Sequence, residues 1–405
     1  MSGYPDITRR PSLWEARHWP AAAAPLDVAV LGGGLVGLQA ALYLAGARPG
    51  LRVAMVERSD PPAGASTRNA GFACVGSLGE LADDVAQIGL EATVELVLRR
   101  ARGLALLERA LGGTGVEIDW CGNVECFRPG EEAALRRARA LLPQMNAALA
   151  GPIRRAGPVF TEVPDFAGAT GIECLGAIRN ALEGQLDPGA AVRALQDRLR
   201  AAGGQLLLDR VVELTPREGG GAHVSCDGYE LAARAVVLAG NGFVRHWRGA
   251  QQWAAVRAIR PALNQVIVTE PLDGPTWTTP IHLDRGYGYA RRVGRRILVG
   301  GFRPLAGAAA ETSAFGLSPK LSEHLRAVLA ELAPAAVKAR STRPAPRIEY
   351  EWSGVLGLGA DRSPRAASLA PGVVLAAGLG GMGVALSGLL AREAAELVLS
   401  ELPSP

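Results

Sequence analysis

Residues 26–57 read LDVAVLGGGLVGLQAALYLAGARPGLRVAMVE, and the fold is decided here. Leu26 to Leu31 is a short, valine-rich apolar run, the pattern of a strand buried in a parallel sheet. It enters Gly32-Gly33-Gly34-Leu35-Val36-Gly37, a match to G-x-G-x-x-G. Leu38, Leu42 and Ala45 then recur at helical spacing, and a second strand, Arg52 to Val56, ends at Glu57. Gly32 permits the tight turn, Gly34 lets backbone approach a pyrophosphate, and Gly37 lets the helix pack on the strand. The helix N-terminus offers free N–H groups and a positive dipole end to phosphates. Glu57 stands 20 residues after Gly37, where an acid accepts hydrogen bonds from ribose hydroxyls. Strand, glycines, helix, strand and acid in that order predict a dinucleotide site.

The rest of the chain sets limits on this reading. Its 405 residues suffice for one large domain or two ordinary ones, and at 48% hydrophobic and 20% charged it is globular. The formal charge is only +4, and the arginines are dispersed, so no nucleic-acid stripe is present. Five cysteines without a C-x-x-C, and five scattered histidines, argue against a disulfide framework and a metal site. A reducing, cytoplasmic setting fits. Residues 1–25 hold charges and prolines where a signal peptide needs an apolar run, and read as a surface arm with Trp14 and Trp19. Val28 to Ala47 and Val373 to Leu390 are apolar but broken by glycines at strand-to-helix turns, so they read as buried units and not membrane spans.

Helical periodicity covers Leu78 to Leu111 and Glu131 to Ala150, with a break or kink expected at Pro143. Val116 to Phe127 reads as a hairpin. Asp187-Pro188 opens a helix with Asp as N-cap. A strand from Gln205 to Leu214, a turn at Gly219 to Gly221 and a buried strand at Ala235 to Ala239 follow. Ala262 to Thr269, Gly288 to Arg292 and Arg296 to Gly300 read as an antiparallel sheet, followed by a helix from Ser318 to Leu332 and a strand-like run from Arg347 to Trp352.

The C-terminus repeats the logic of the start. Val373 to Ala377 is a strand, Gly378-Leu379-Gly380-Gly381-Met382-Gly383 a glycine turn, and Val384 to Leu399 a helix. A nicotinamide cofactor has no use for a second such unit. FAD is longer, and its C2 carbonyl and N1 become anionic on reduction, which a helix N-terminus stabilises. With this segment, VAVLGGGLVGLQAALYLA, GASTRNAGF and LDPGAAVRALQDRLRAAGGQ, the chain resembles the D-amino-acid-oxidase-like flavoprotein family. That family includes glycine oxidase, sarcosine oxidase, D-amino-acid dehydrogenases and gamma-glutamylputrescine oxidoreductase; Ser12-Leu13-Trp14-Glu15 is most similar to the last.

The resemblance implies an α/β fold: a Rossmann-like FAD-binding domain with an inserted α+β substrate domain containing an antiparallel sheet. The boundaries read as an arm over 1–25, an FAD domain over 26–76, 170–245 and 350–400, and a substrate domain over 77–169 and 246–349. It places the pyrophosphate on Gly32, Gly34 and Gly37 and the adenosine ribose on Glu57, with Leu35, Val36 and Arg58 as further cofactor-binding candidates. Ser66, Arg68, Asn69, Ala70, Gly71 and Phe72 would run from the pyrophosphate to the flavin, Val211 would meet the adenine, and Gly240 and Gly242 would close a turn. Gly381, Met382 and Gly383 would meet the flavin C2 carbonyl, with Gly380 and Val384 as further cofactor-binding candidates. Arg68 stands where histidyl-linked relatives carry His, so the FAD is expected to be non-covalent. Cys74, near that loop, reads as a core cysteine. Asp361 and Pro364 match the family's T-x-D-x-x-P only in part, and neither Lys320 nor Lys338 suits an oxygen-activating position.

The implied reaction is removal of hydride from a carbon bearing an amine to flavin N5, giving an imine that hydrolyses. Its partners would be a small amine or amino acid and oxygen or another acceptor. The middle sheet supplies the catalytic and substrate candidates Tyr287, Tyr289, Arg291 and Arg303, since arginine forks bind carboxylates; alternation predicts one face for Tyr287, Tyr289 and Arg291. His282 and Trp352 are weaker candidates. Two rivals are a flavin monooxygenase, which should carry a Gly-Asp pair just before its glycine-rich helix where this chain has Ala360-Asp361 much earlier, and a non-catalytic FAD-binding subunit.

Overall fold

A computed structural model describes residues 26–273, 277–332, 346–360 and 364–402. The predicted N-terminal arm, Lys338 and Asp361 lie outside these residues.

The opening stretch forms β1 (Leu26–Leu31), helix α1 (Leu35–Ala47) and β2 (Val53–Glu57). A two-residue strand, β3 (Phe72–Ala73), follows a one-turn helix over Ala65–Arg68. Helices α2 (Leu78–Ile88) and α3 (Leu90–Leu111) replace the single predicted helix, because Gly89 turns the chain at φ 83°. The predicted hairpin at 116–127 is absent. Only β4 (Asn123–Phe127) is a strand, and Asp119 instead bridges to the backbone of Gln185. Helix α4 (Glu132–Ala150) runs on with Pro143 in its interior, and β5 (Phe160–Glu162), β6 (Gly176–Asn180) and β7 (Gly184–Gln185) follow.

Asp187 caps α5 (Pro188–Ala201) by accepting the Ala190 N–H at 2.9 Å, as its sequence position predicts. The strand predicted over 205–214 is two strands, β8 (Gln205–Leu208) and β9 (Val211–Pro216). Asp209 breaks it by accepting the N–H groups of Arg210 and Gly228. Strands β10 (Ala222–Cys226), β11 (Glu230–Leu238), β12 (Arg260–Thr269), β13 (Ile281–Leu283), β14 (Gly288–Val293) and β15 (Arg296–Gly301) come next. Helix α6 (Pro319–Leu332), β16 (Ile348–Leu358), β17 (Ala367–Ala370), β18 (Val373–Leu375) and helix α7 (Gly383–Glu401) complete the chain.

Two sheets organise these elements. The first runs β17-β18-β11-β1-β2-β8, parallel except at β17, with β10 and β9 attached to β11 as an antiparallel extension. The second runs β16-β12-β15-β14-β13-β4-β6-β5 and is antiparallel except between β13 and β4. By sheet membership the chain passes from the first sheet to the second after Glu57 and again after Leu238, and returns to the first after Asn180 and after Leu358. Strand β16 owes its length to pairing along the whole of β12, which carries it past the stretch predicted from its β-branched and aromatic residues.

Helix α7 packs on both α1 and α3. Glycines make the second contact possible: a Cβ on Gly103 would lie 2.0 Å from the Ala385 carbonyl oxygen, and one on Gly388 would lie 2.6 Å from that of Gly103. In the second sheet, Ile267, Ala290, Ile297 and Val299 face Leu321, Leu325, Val328 and Leu329 of α6. Its other face carries Val266, Val268, Leu298, Tyr289 and Trp352 against Ala70, Phe72, Cys74 and Met382. Lys320 is exposed on α6. No helix among the described residues is long and apolar enough to cross a membrane.

Candidate active site

The strands β1, β2, β11 and β18 end together at one edge, and the chain leaves that edge through glycine turns, the place where ligands bind on open parallel sheets. Gly32 has φ 115°, and a Cβ there would meet the Ala239 carbonyl oxygen at 2.7 Å. A Cβ on Gly37 would sit 1.9 Å from the Gly32 carbonyl oxygen, so only glycine brings α1 this close to β1. Ser66 Oγ accepts the Leu35 N–H at 2.9 Å, and Glu57 accepts the Gly33 N–H at 2.8 Å. Burial raises the pKa of the Glu57 carboxyl, and that N–H and Arg58 oppose the rise.

A cavity of about 770 Å³ follows this edge, within the roughly 300–1,000 Å³ of small-molecule and cofactor sites. It is lined by Gly32, Gly34, Leu35, Val36, Glu57 and Arg58 from the first motif, Ser66 and Asn69 from the loop, Val211, Gly240, and Gly380, Gly381, Gly383 and Val384 from the last turn. The other expected cofactor residues stand behind the wall. Gly37 packs on β1, and a Cβ on Gly242 would lie 2.5 Å from the Leu356 carbonyl oxygen. Arg68 donates to the Ser353 carbonyl at 2.9 Å, and Met382 Sδ lies 3.5 Å from Cys74 Sγ. Ala70 and Phe72 are buried, and Gly71 turns at φ 75°.

Sequence reasoning missed part of the lining: Asp209, Asn241, Phe243, His246, Trp247 and Ser313. Asn241 between two glycines was a readable sign. It adopts φ 47°, and its Oδ1 accepts the Gly378 N–H at 3.0 Å, tying two of the glycine turns together. Nothing local marks Ser313, which arrives from outside the first sheet.

The helices α1 and α7 both begin at this cavity, so two sets of first-turn amides without intrahelical partners open into one space. A Cβ on Gly380 or Gly381 would meet nothing within 4 Å, so the last turn leaves room beside its amides. This donor set fits a ligand with a diphosphate at one helix end and a ring that gains negative charge at the other.

The model of the FAD dependent oxidoreductase family (DAO) matches residues 27–397. The chain belongs to this family. It is an FAD-dependent oxidoreductase, and the residues present at the cavity fit the cofactor. No match to a curated protein was found. Among solved structures, L-proline dehydrogenase from P. horikoshii superposes with a TM-score of 0.71 at 16% identity, covering 94% of this chain and 95% of that one. Glycine oxidase from Geobacillus kaustophilus gives 0.71 at 20% identity, covering 93% and 95%. Iminodiacetate oxidase from Chelativorans sp. BNC1 gives 0.67 at 18% identity, covering 93% and 96%. At such identities the likeness is one of fold.

The four substrate candidates of this flavoenzyme do not converge. Tyr289 lies on the sheet face that meets Phe72, with ring centroids 5.3 Å apart, and its hydroxyl accepts from Asn264 Nδ2 at 3.3 Å. Tyr287 does not share that face. It precedes β14, after three left-handed residues (Asp284, Arg285 and Gly286), and is exposed, so strand alternation never reaches it. Arg291 is buried and donates to the Gly71 carbonyl at 3.2 Å and to Gln185 Oε1 at 3.4 Å. Burial lowers its pKa to about 10. It holds the turn in front of Phe72 and does not line the cavity. Arg303 opens a 3-10 segment beyond β15.

Trp352 donates its indole N–H to the Arg68 carbonyl at 3.0 Å, which fixes the loop from the other side. His282 sits behind Phe72, ring centroids 5.2 Å apart, in a buried acidic cluster. Its Nε2 lies 3.1 Å from Glu183 Oε2, and Glu183 also accepts the N–H groups of Val75 and Gly76 at 2.7 Å each. Burial disfavours the imidazolium, but the Glu183 bond and the nearby carboxylates raise the His282 pKa overall. Burial and the charge of Glu183 push the Cys74 thiol well up, so it is neutral near pH 7.

Proposed function

We propose that this flavoenzyme oxidises a C–N bond of a small amine or amino acid. FAD, held non-covalently along the glycine turns, supplies the two-electron acceptor for a hydride from the carbon bearing the amine. The substrate nitrogen gives up a proton to solvent and becomes an imine, which water hydrolyses. The observation that carries the reading is the family match over residues 27–397, together with a cavity at which two helix N-termini meet. Beside the last glycine turn, Phe72, Cys74, Met382 and Tyr289 form an apolar face whose thiol and phenol are both pushed up by burial and stay neutral at neutral pH. The uncharged amine is the reactive form, because its lone pair assists hydride departure. The Tyr289 hydroxyl and the Asn264 amide supply polar contacts for orientation. Four of the similar structures support the class by name: a proline dehydrogenase, a glycine oxidase, an iminodiacetate oxidase and an L-amino acid deaminase.

The test is anaerobic mixing of the holoenzyme with amino acids, N-alkyl amino acids and polyamine derivatives, following loss of flavin colour. At least one amine should bleach the flavin and release a carbonyl product. Bleaching by hydroxy compounds alone would refute C–N oxidation, and no bleaching by any compound would favour a non-catalytic subunit. The rate of re-oxidation in air then separates an oxidase from a dehydrogenase.

A further inference from the structure

The nucleotide fold does not close the cavity by itself. Residues 311–318, which follow the second sheet's β15, pass over its Glu57 end. The segment is tethered to that sheet at both ends. Glu311 pairs with Arg260 at 2.7 Å, Gly316 N–H donates to Ser353 Oγ at 3.3 Å, and Ser318 N–H donates to Gln265 Oε1 at 2.8 Å. Its tip reaches across to the other half of the molecule. Ser313 lines the cavity, with Oγ 2.7 Å from His246 Nε2. The Phe315 ring lies 6.0 Å from that of Phe243. Arg58, next to Glu57, stacks 3.8 Å over Phe243 and 5.7 Å from Phe315, and Arg68 lies 4.7 Å from Phe315. Two guanidiniums thus converge on a ring that is still 43% exposed, an arrangement that packs no core.

We propose that the cofactor site extends to this crossing segment: Ser313 and Phe315, clasped onto His246, Phe243 and Arg58, cover the Glu57 end of the FAD cavity and set the rate at which FAD leaves. The proposal rests on the family assignment of FAD and not on the C–N substrate. The first motif and the loop cradle the cofactor from below, while the clasp comes from a segment anchored in the other sheet. Opening it requires unstacking Arg58 and breaking the His246–Ser313 contact.

The experiment is dilution of holoenzyme into buffer with an FAD scavenger, following release by recovery of flavin fluorescence. Phe315→Ala should speed release about tenfold, a loss of about 1.4 kcal/mol, and Ser313→Ala about threefold. Phe315→Tyr, which keeps the stacking face, should release at the wild-type rate. The thermal midpoints of the apo-proteins should coincide, since the tip packs no core. Wild-type release rates in both Phe315→Ala and Ser313→Ala would overturn the clasp while leaving the FAD assignment intact. Wild-type protein that fails to hold FAD would overturn both.

Discussion

Glu125 offers the sharpest physical test of the structure. It lies on β4, 2% exposed, where Oε2 accepts the Gly79 N–H at 2.7 Å and Oε1 accepts from Ser77 Oγ at 3.1 Å. Burial is the main cause that lifts its pKa from the ordinary 4.5 to about 7; the hydrogen bonds and His282 oppose the rise, and Glu80 adds to it. Below pH 4.5 the carboxyl is protonated in both the folded and the unfolded chain. Between pH 4.5 and 7 the folded state keeps a proton that the unfolded chain releases, so stability falls as pH rises. At 1.36 kcal/mol per pH unit the loss totals roughly 3 kcal/mol above pH 7. Glu125→Gln keeps an acceptor for Gly79 and a partner for Ser77 but has no proton to lose. Urea unfolding of holoenzyme and variant at pH 5, 6, 7 and 8, with FAD fixed in excess, should show the variant gaining about 2–3 kcal/mol on the wild type across that range. A stability difference that is constant with pH would refute the reasoning, whatever its size.

Gly37→Ala should yield protein without FAD, because its Cβ would lie 1.9 Å from the Gly32 carbonyl oxygen and force the first turn open; flavin absorbance after purification reads this directly. Glu57→Ala should weaken FAD binding at least tenfold by fluorescence titration, and Glu57→Gln less, since Gln still accepts the Gly33 N–H. Arg291→Met should cost about 1–3 kcal/mol of stability by removing the buried guanidinium's bonds to the Gly71 carbonyl, which keeps only the Leu186 N–H, and to Gln185 Oε1. Loss of affinity for carboxylate substrates with stability unchanged would show instead that Arg291 reads the substrate.

The legible parts of this protein were those carried by local backbone chemistry. Strand, glycine turn and helix are contiguous, and their steric demands are met within a few residues, so Gly32, Gly37 and the Asp187 cap could be read directly. The failures came where the partner was remote. Residues 116–122 have strand-like alternation, yet no neighbouring strand meets them as a hairpin. Tyr287 fits the same alternation as Tyr289, but it follows the left-handed turn at 284–286 and lies just outside β14, whose start the pairing with β15 sets. Arg291 has the chemistry of a carboxylate fork, and its place under the Gly71 turn, donating to the Gly71 carbonyl and Gln185 Oε1, is not legible from its strand position.

The sequence by itself determined that a dinucleotide is held, that it is FAD, and which glycines make the tight turns at the sheet edge, because turn sterics and helix termini act over short chain distances. Only the tertiary structure decided which remote side chains meet. The acidic cluster behind Phe72 is drawn from Glu80, Glu125, Glu183 and His282, and the stack beside Glu57 from Arg58, Phe243 and Phe315. These groups are distant in the chain: Glu125 and His282 meet because β4 and β13 pair, and Phe315 reaches Phe243 and Arg58 from beyond the second sheet.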